Sequence, residues 1–369
     1  MAGVTKLTIA GFKSIRELRD FELRNLNVLI GANGAGKSNF IGLFRMLAEM
    51  YEGRFQLYVQ QQGGPDALLH FSRKTTDEIS IALHFGDHHT YEADERNCYR
   101  VRVTATNDNR VTFSEEVLDY GTDGAMRDLS GRSSGVPESS LKPFLNAYLP
   151  LYAAVLDSTR VYHFHDTGEN AKVKQLHASN DTLRFKADGA NLAAYLRMLK
   201  AEHADSYRQI VETIRLVAPF FDEFIFRAGP SSKMQLEWTE RGDPDTPLTA
   251  HALSDGTLRF ICLSTLLLQQ WDLMPATILI DEPELGLHPY AINLLADLLK
   301  RASEQKQLIV SPQSVELLNR LDPEDVIVVD RKDNASTFHR LDATQLQDWL
   351  GNYSLGDLWK QNVLGGRPA

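Results

Sequence analysis

Short apolar runs separated by longer amphipathic stretches mark the two ends of this chain and are missing from its middle. Leu26-Asn-Val-Leu-Ile30 is one such run, and the amphipathic stretch Asn39-Phe-Ile-Gly-Leu-Phe-Arg-Met-Leu-Ala48 follows it at helical spacing. Thr277-Ile-Leu-Ile280, Gln307-Leu-Ile-Val310 and Asp325-Val-Ile-Val-Val329 repeat the theme near the other end. Runs this short and this apolar predict strands buried on both faces of a parallel sheet. Residues 78–119 follow a different rule. Ile79-Ser-Ile-Ala-Leu-His-Phe85, Tyr99-Arg-Val-Arg-Val-Thr104 and Arg110-Val-Thr-Phe113 alternate apolar with polar, which predicts a half-solvated antiparallel meander. Residues 121–140, rich in Gly, Ser and Asp, read as a mobile loop. Helices are expected to dominate 141–221, one of them starting within Asp188-Gly-Ala-Asn-Leu-Ala-Ala-Tyr-Leu196. No internal repeat or sustained heptad is present, so no coiled-coil arm is expected.

Composition narrows the class. A length of 369 residues suggests two or three domains, or one with a large insertion. The net charge of −10 provides no global positive field toward nucleic acid. Arg160, Lys172, Lys174, Arg184 and Lys186 form the densest basic stretch. Asp166, Glu169 and Asp181 interrupt it, which favours a mixed solvated surface over a nucleic-acid groove. No apolar run approaches the ~20 residues that span a bilayer. The N-terminal residues read as a strand rather than a signal peptide. A cytoplasmic location without membrane contact is expected. Cys98 and Cys262 have no metal-ligand spacing and read as free buried thiols.

The chemistry begins between the first apolar run and its helix. Gly31-Ala-Asn-Gly-Ala-Gly-Lys-Ser38 is a G-x-x-x-x-G-K-S phosphate loop in the strand–turn–helix setting that its function requires. Gly31, Gly34 and Gly36 let the backbone curl its N–H groups inward, and the helix N-terminus adds a positive dipole. ATP is the expected ligand, contacted by Asn33, Gly34, Ala35, Gly36, Lys37, Ser38 and Asn39. Lys37 would reach the β- and γ-phosphates and the Ser38 hydroxyl would bind Mg²⁺. Thr277-Ile-Leu-Ile-Asp-Glu-Pro-Glu284 is an apolar strand ending in acids. Asp281 would hold Mg²⁺ through water, and Glu282 would polarise or orient the attacking water. Acids at a strand end also suit a solvated turn or a helix cap, a reading that the phosphate loop makes the weaker one.

Leu253-Ser-Asp-Gly-Thr257 precedes those acids and Glu284-Leu-Gly-Leu-His-Pro289 follows them. With Gly11-Phe-Lys-Ser-Ile15 and Ile309-Val-Ser-Pro-Gln-Ser314, these strings resemble a stand-alone ABC-type ATPase of the RecF/SMC/OLD-like class, similar to predicted bacterial AAA-family ATPases of phage-defence systems. The resemblance implies an α/β fold: a phosphate-loop ABC-type head split by an inserted antiparallel β meander and helical lobe. Its parts would be residues 1–51 and 251–369 as the two halves of the head, with 52–250 as the insertion, a β meander then a helical lobe that also holds some strands of the head.

The resemblance also assigns roles. Ser254, Asp255 and Gly256 match the signature that contacts the γ-phosphate of a partner subunit, and Asp255 stands where a Gly is frequent. Gly286, Leu287 and His288 match the D-loop. Gln313 takes the switch position, where His is more common; glutamine can orient water but takes up no proton at neutral pH, so slow turnover is expected. A metal-contacting glutamine falls among Gln60, Gln61 and Gln62, with Gln62 as the candidate ligand. Lys13 lies near the nucleotide by analogy, or is a surface lysine.

A head-to-tail homodimer or higher homo-oligomer around two ATP is implied, with a separate effector, a nuclease or toxin, as partner. The roughly 55 residues after Ser314 are too few for the TOPRIM nuclease domain of OLD-family enzymes. The rival readings are a RecF-like repair ATPase acting on DNA and a phosphate-loop kinase. The signature string ahead of the acids disfavours the kinase, and net acidity weighs against DNA. His163 and His165 share a face at i, i+2 beside Asp166; a structural role is preferred over a metal site because no third ligand is near. His84, His88 and His89 read as a solvated turn.

Overall fold

The computed structural model describes residues 2–87, 93–120, 125–128, 135–148, 150–157, 159–227 and 232–366. Strands β1 (Ala2–Phe12) and β2 (Ile15–Glu22) form a hairpin, and β3 (Leu26–Ile30) runs into the Lys37–Tyr51 helix. Next come β4 (Glu78–Asp87), β5 (Ala93–Ala105), β6 (Val111–Tyr120), β7 (Ala125–Asp128) and β8 (Arg160–Tyr162). A short ladder pairs β9 (His177–Ala178) with β11 (Lys233–Met234). A small antiparallel sheet joins β10 (Phe221–Ile225), β12 (Glu237–Glu240) and β13 (Asp243–Thr249). The chain then forms β14 (Thr277–Asp281), β15 (Gln307–Ser311), β16 (Val326–Lys332) and β17 (Ala335–Arg340).

The bare apolar runs become the centre of one six-stranded sheet, ordered β17-β16-β3-β15-β14-β8 and parallel except for β17. Side chains alternate across a strand, so each run feeds two cores. Val28, Ile30, Ile278, Ile280, Leu308, Val310 and Val328 pack with the helices Leu192–Glu202, Ala204–Val217, Asp255–Leu268 and Pro289–Ser303. Leu29, Leu279, Ile309, Ile327 and Val329 face the other way, against the Lys37–Tyr51 helix and the inner face of the second sheet. That second sheet is antiparallel, ordered β2-β1-β4-β5-β6-β7.

Three features depart from the reading of the sequence. The meander is present with the expected alternation: Ile79, Ile81, Leu83 and Phe85 are buried, with less buried residues between them. It does not stand apart, however. It pairs on β1, with Ile81 opposite Ile9 and Leu83 opposite Leu7, and extends the N-terminal hairpin. Second, the stretch read as helical also holds β8, the edge of the parallel sheet, and an irregular run to about residue 191. With only three residues flanked by polar neighbours, β8 is too short to show a period. Third, β7 falls inside the segment read as a loop; residues 121–124 and 129–134 of that segment, with His88 and His89, lie outside the described residues, while His84, read with those two as a turn, is paired within β4. Cys98 and Cys262 are buried and free. No helix among the described residues is long and apolar enough to cross a membrane.

One half-buried acid just before β16 gives a stability prediction. Burial pushes the Asp325 carboxyl up from 3.8 to about 6; Asp322 adds to this, and Arg340, Lys300 and Arg24 oppose it. Between those two values the folded chain keeps a proton that the unfolded chain has released. This group's contribution to stability therefore falls as pH rises from 3.8 to about 6, and the loss is complete above that. Asp325→Asn is expected to stabilise the protein by about 1 kcal/mol at pH 7.5, after allowance for partial exposure, and to give no gain at pH 3.5. Urea unfolding at both pH values checks it.

Candidate functional site

The site forms where three neighbouring parallel strands end. β3 delivers the phosphate loop, β14 the acids and β15 the switch, so the order β3-β15-β14 sets residues far apart in sequence side by side at the carboxyl edge. Open α/β sheets bind ligands at that edge. A cleft of about 350 Å³ is lined there by Ala32, Asn33, Gly34, Gly36, Lys37, Ser38, Asn39, Asp281, Glu282, Ser311 and Gln313. That volume suits a small ligand.

The loop is held from below. Ser336 on β17 is buried; its hydroxyl donates to the Ala35 carbonyl and lies 2.7 Å from Ser14 Oγ, from which it can accept. Ser14 also accepts from Asn39 Nδ2 at 2.7 Å. Gly36 sits at φ 125°, and a Cβ there would stand 2.1 Å from Ser336 Oγ, so only glycine lets the loop seat on this serine. Ala35 lies beneath the cleft rather than lining it.

Lys37 is 7% exposed, and its ammonium donates to the carbonyls of Gly31 at 2.5 Å and Ala32 at 3.2 Å. No ion pair holds it among the described residues. Burial lowers its pKa, while Asp281 and Glu282 pull the other way. A buried cation resting on neutral oxygens, at a helix N-terminus and facing two carboxylates, suits a phosphate chain with a divalent cation. Ser38 and Asp281 have the oxygen chemistry to hold Mg²⁺.

Glu282 has φ 44°, the left-handed region that a non-glycine residue occupies only under constraint. Its N–H donates to the Ser311 carbonyl at 3.0 Å, and its Oε1 accepts from Gln313 Nε2. His165 Nε2 lies 2.9 Å from the Asp281 carbonyl. His163 and His165 share a face, with ring centroids 5.9 Å apart. No group of His, Cys, Asp and Glu among the described residues is arranged to hold a metal ion by itself.

The remaining candidates lie outside the cleft. Lys13 Nζ donates to Gln62 Oε1 at 3.0 Å, so this pair binds itself; Gln60 and Gln61 are exposed. Ser254 and Asp255 are exposed at the start of the Asp255–Leu268 helix, where Ser254 Oγ accepts from Thr257 N at 3.2 Å. Gly256 packs on the D-loop so closely that a Cβ would stand 2.3 Å from the Gly286 carbonyl oxygen. Leu287 is partly buried against the first core, and exposed His288 caps the Pro289–Ser303 helix through Nδ1. Lys172, Lys174, Arg184 and Lys186 pair with Asp188, Asp255, Asp157 and Asp181, which leaves no run of free cations along that stretch.

The reading of the sequence gave no role to several residues that hold this site. Arg259 ties the signature helix to its surroundings: Nη1 donates to the Leu285 carbonyl at 2.9 Å, Nη2 to that of His165 at 2.8 Å and Nε to that of Phe164 at 3.1 Å. Ser336 carries no motif, so nothing in the sequence marked it. Ser14, Ser311 and Glu284 lie inside the motif strings, and the resemblance gave none of them a role.

Residues 26–319 match a protein family described as "AAA domain, putative AbiEii toxin, Type IV TA system". Among solved structures, the chain is similar to an Smc head bound to the C-winged helix domain of ScpA, with 18% identity, 94% of this chain and 99% of that one covered, and a TM-score of 0.62. It is also similar to an Smc head domain with an extended coiled coil, bound to the C-terminal domain of ScpA, from Pyrococcus furiosus (16% identity, 95% and 99% covered, TM-score 0.58). A third is an Smc head domain with a coiled coil and joint from Pyrococcus yayanosii (14% identity, 95% and 99% covered, TM-score 0.53). At such identities the likeness is one of fold. No curated protein matches the chain. The chain belongs to this AAA-domain family and has the fold of an SMC-type ABC ATPase head.

Proposed function

We propose that the chain hydrolyses ATP to ADP and phosphate with Mg²⁺, and that two copies close head to tail around two ATP molecules. One observation carries this reading. The phosphate loop, Asp281, Glu282 and Gln313 line a single cleft, while Ser254 and Asp255 stand exposed outside it. Loop N–H groups and Lys37 would bind the β- and γ-phosphates, with Ser38 and Asp281 holding the metal. Bound Mg²⁺ would neutralise charge on the phosphate oxygens. Glu282 would orient a water and draw off its proton as the oxygen bonds to the γ-phosphorus. The bond from that phosphorus to the bridging oxygen breaks, and ADP leaves with the electron pair. Gln313, joined to Glu282 by a hydrogen bond, would fix the direction of attack.

The setting we propose is a cytoplasmic regulatory head that controls a separate nuclease or toxin in defence against phage. A family description that names a toxin, and Smc heads that carry ScpA, support a head that acts through a protein partner. The carboxylate-paired basic stretch does not favour DNA as its ligand.

Lys37→Ala tests nucleotide binding. It removes the ammonium that charge-assists the phosphates, and ATP affinity is expected to fall at least about 100-fold by titration calorimetry. Affinity equal to the parent's would end the phosphate-loop reading.

A further inference from the structure

The carboxylate of Glu284 lies just behind the cleft. It is 7% exposed, and its Oε1 accepts two backbone N–H groups, from Gln313 at 2.5 Å and Ser314 at 2.7 Å. Its Oε2 is buried with no hydrogen-bond partner among the described residues. Burial raises its pKa; hydrogen bonds with the backbone of Gln313, of Glu284 itself and of Ser314 pull it down, and neighbouring Glu282 pushes it up again. A buried carboxyl with one unsatisfied oxygen is costly, and an apolar side chain would fill the space more cheaply. Beyond a bond with its own backbone, its contacts are with the backbone of the switch. The Gln313 side chain in turn donates to Glu282. A short chain of bonds therefore runs from Glu284 through the Gln313 backbone and side chain to Glu282, bridging the ends of β14 and β15.

We infer that Glu284 is a positioning residue, which pins the Gln313–Ser314 backbone so that the Gln313 amide meets Glu282. This rests on the proposed ATP hydrolysis, in which Gln313 and Glu282 act on water. Glu284 itself lies outside the lining of the cleft. Its loss should therefore spare ATP binding and impair turnover. Glutamine in its place keeps a carbonyl acceptor of the same reach for both N–H groups. Alanine keeps none.

The test compares the full chain with Glu284→Ala and Glu284→Gln, using steady-state ATPase kinetics and nucleotide-free amide hydrogen exchange at residues 313 and 314. Glu284→Ala is expected to lower kcat about 10–100-fold with KM for ATP within about threefold, as expected for losing hydrogen bonds to a charged acceptor. Exchange at those two amides should rise about tenfold or more. Glu284→Gln should keep kcat within about fivefold of the parent and restore most of the protection. Parental kcat in Glu284→Ala, or unchanged exchange at both amides, would overturn the inference. If the alanine variant does not fold, Glu284→Gln decides alone: lost turnover with parental exchange overturns it, and retained turnover with parental exchange supports it. Exchange is read without nucleotide, so a parent protein that fails to hydrolyse ATP would refute the proposed function and leave the positioning contact measurable.

Discussion

Glu282→Gln is expected to bind ATP with near-parental affinity while turnover falls about 10²–10⁴-fold. The substitution is nearly isosteric, and its carbonyl can still accept the hydrogen bond from Gln313 Nε2 that Glu282 Oε1 accepts in the parent. The backbone constraint at φ 44° is unchanged, because the N–H to the Ser311 carbonyl remains. What disappears is a carboxylate that can take the proton of an attacking water. Binding and chemistry should therefore separate: calorimetry reads an intact site and phosphate release reads a dead one. If hydrolysis opens the closed pair, the variant should also accumulate as an ATP-bound dimer in light scattering. Parental turnover would show that another group serves as the base.

Ser254→Arg should abolish ATP-driven dimerisation and reduce turnover to background, with ATP binding to the isolated chain left within about threefold. The geometry explains the separation. Ser254 is exposed and does not line the cleft, so it owes nothing to binding within one copy. Within its own chain it caps the Asp255–Leu268 helix, a role whose loss costs about 1 kcal/mol and leaves the fold standing. In a head-to-tail pair the same residue would meet the γ-phosphate held by the other copy, where an arginine brings bulk in place of a hydroxyl. Mixing Ser254→Arg with Lys37→Ala gives the sharper measurement. In the heterodimer one interface carries both lesions and the other carries neither, so part of the activity should return, up to about half if the sites fire independently. A phosphate-loop kinase has no reason to need Ser254. Parental dimerisation and turnover in Ser254→Arg would revive that reading.

Sequence and structure divide the account of this protein along physical lines. Local covalent order encodes the phosphate loop: the strand, glycines, lysine and serine that cradle a phosphate are contiguous, so Gly31 to Ser38 could be read directly. The acids ending β14 and the buried strands were legible for the same reason, because apolar runs of four or five residues admit few other structures. β8 was not legible, since three residues carry no period. The join between the meander and β1 was not legible either, because register between strands some seventy residues apart is settled by shared burial and not by local pattern. Support for the site was hidden most completely. Ser14 and Ser336 meet under Ala35 from opposite ends of the chain, Arg259 reaches back to the carbonyls of Phe164 and His165, and Glu284 holds the backbone of Gln313 across two strand ends. A phosphate contact is made by a motif that is continuous in sequence. The groups that fix its position are brought together only by the stacking of strands, and their residue types carry no signal until the sheet has set them side by side.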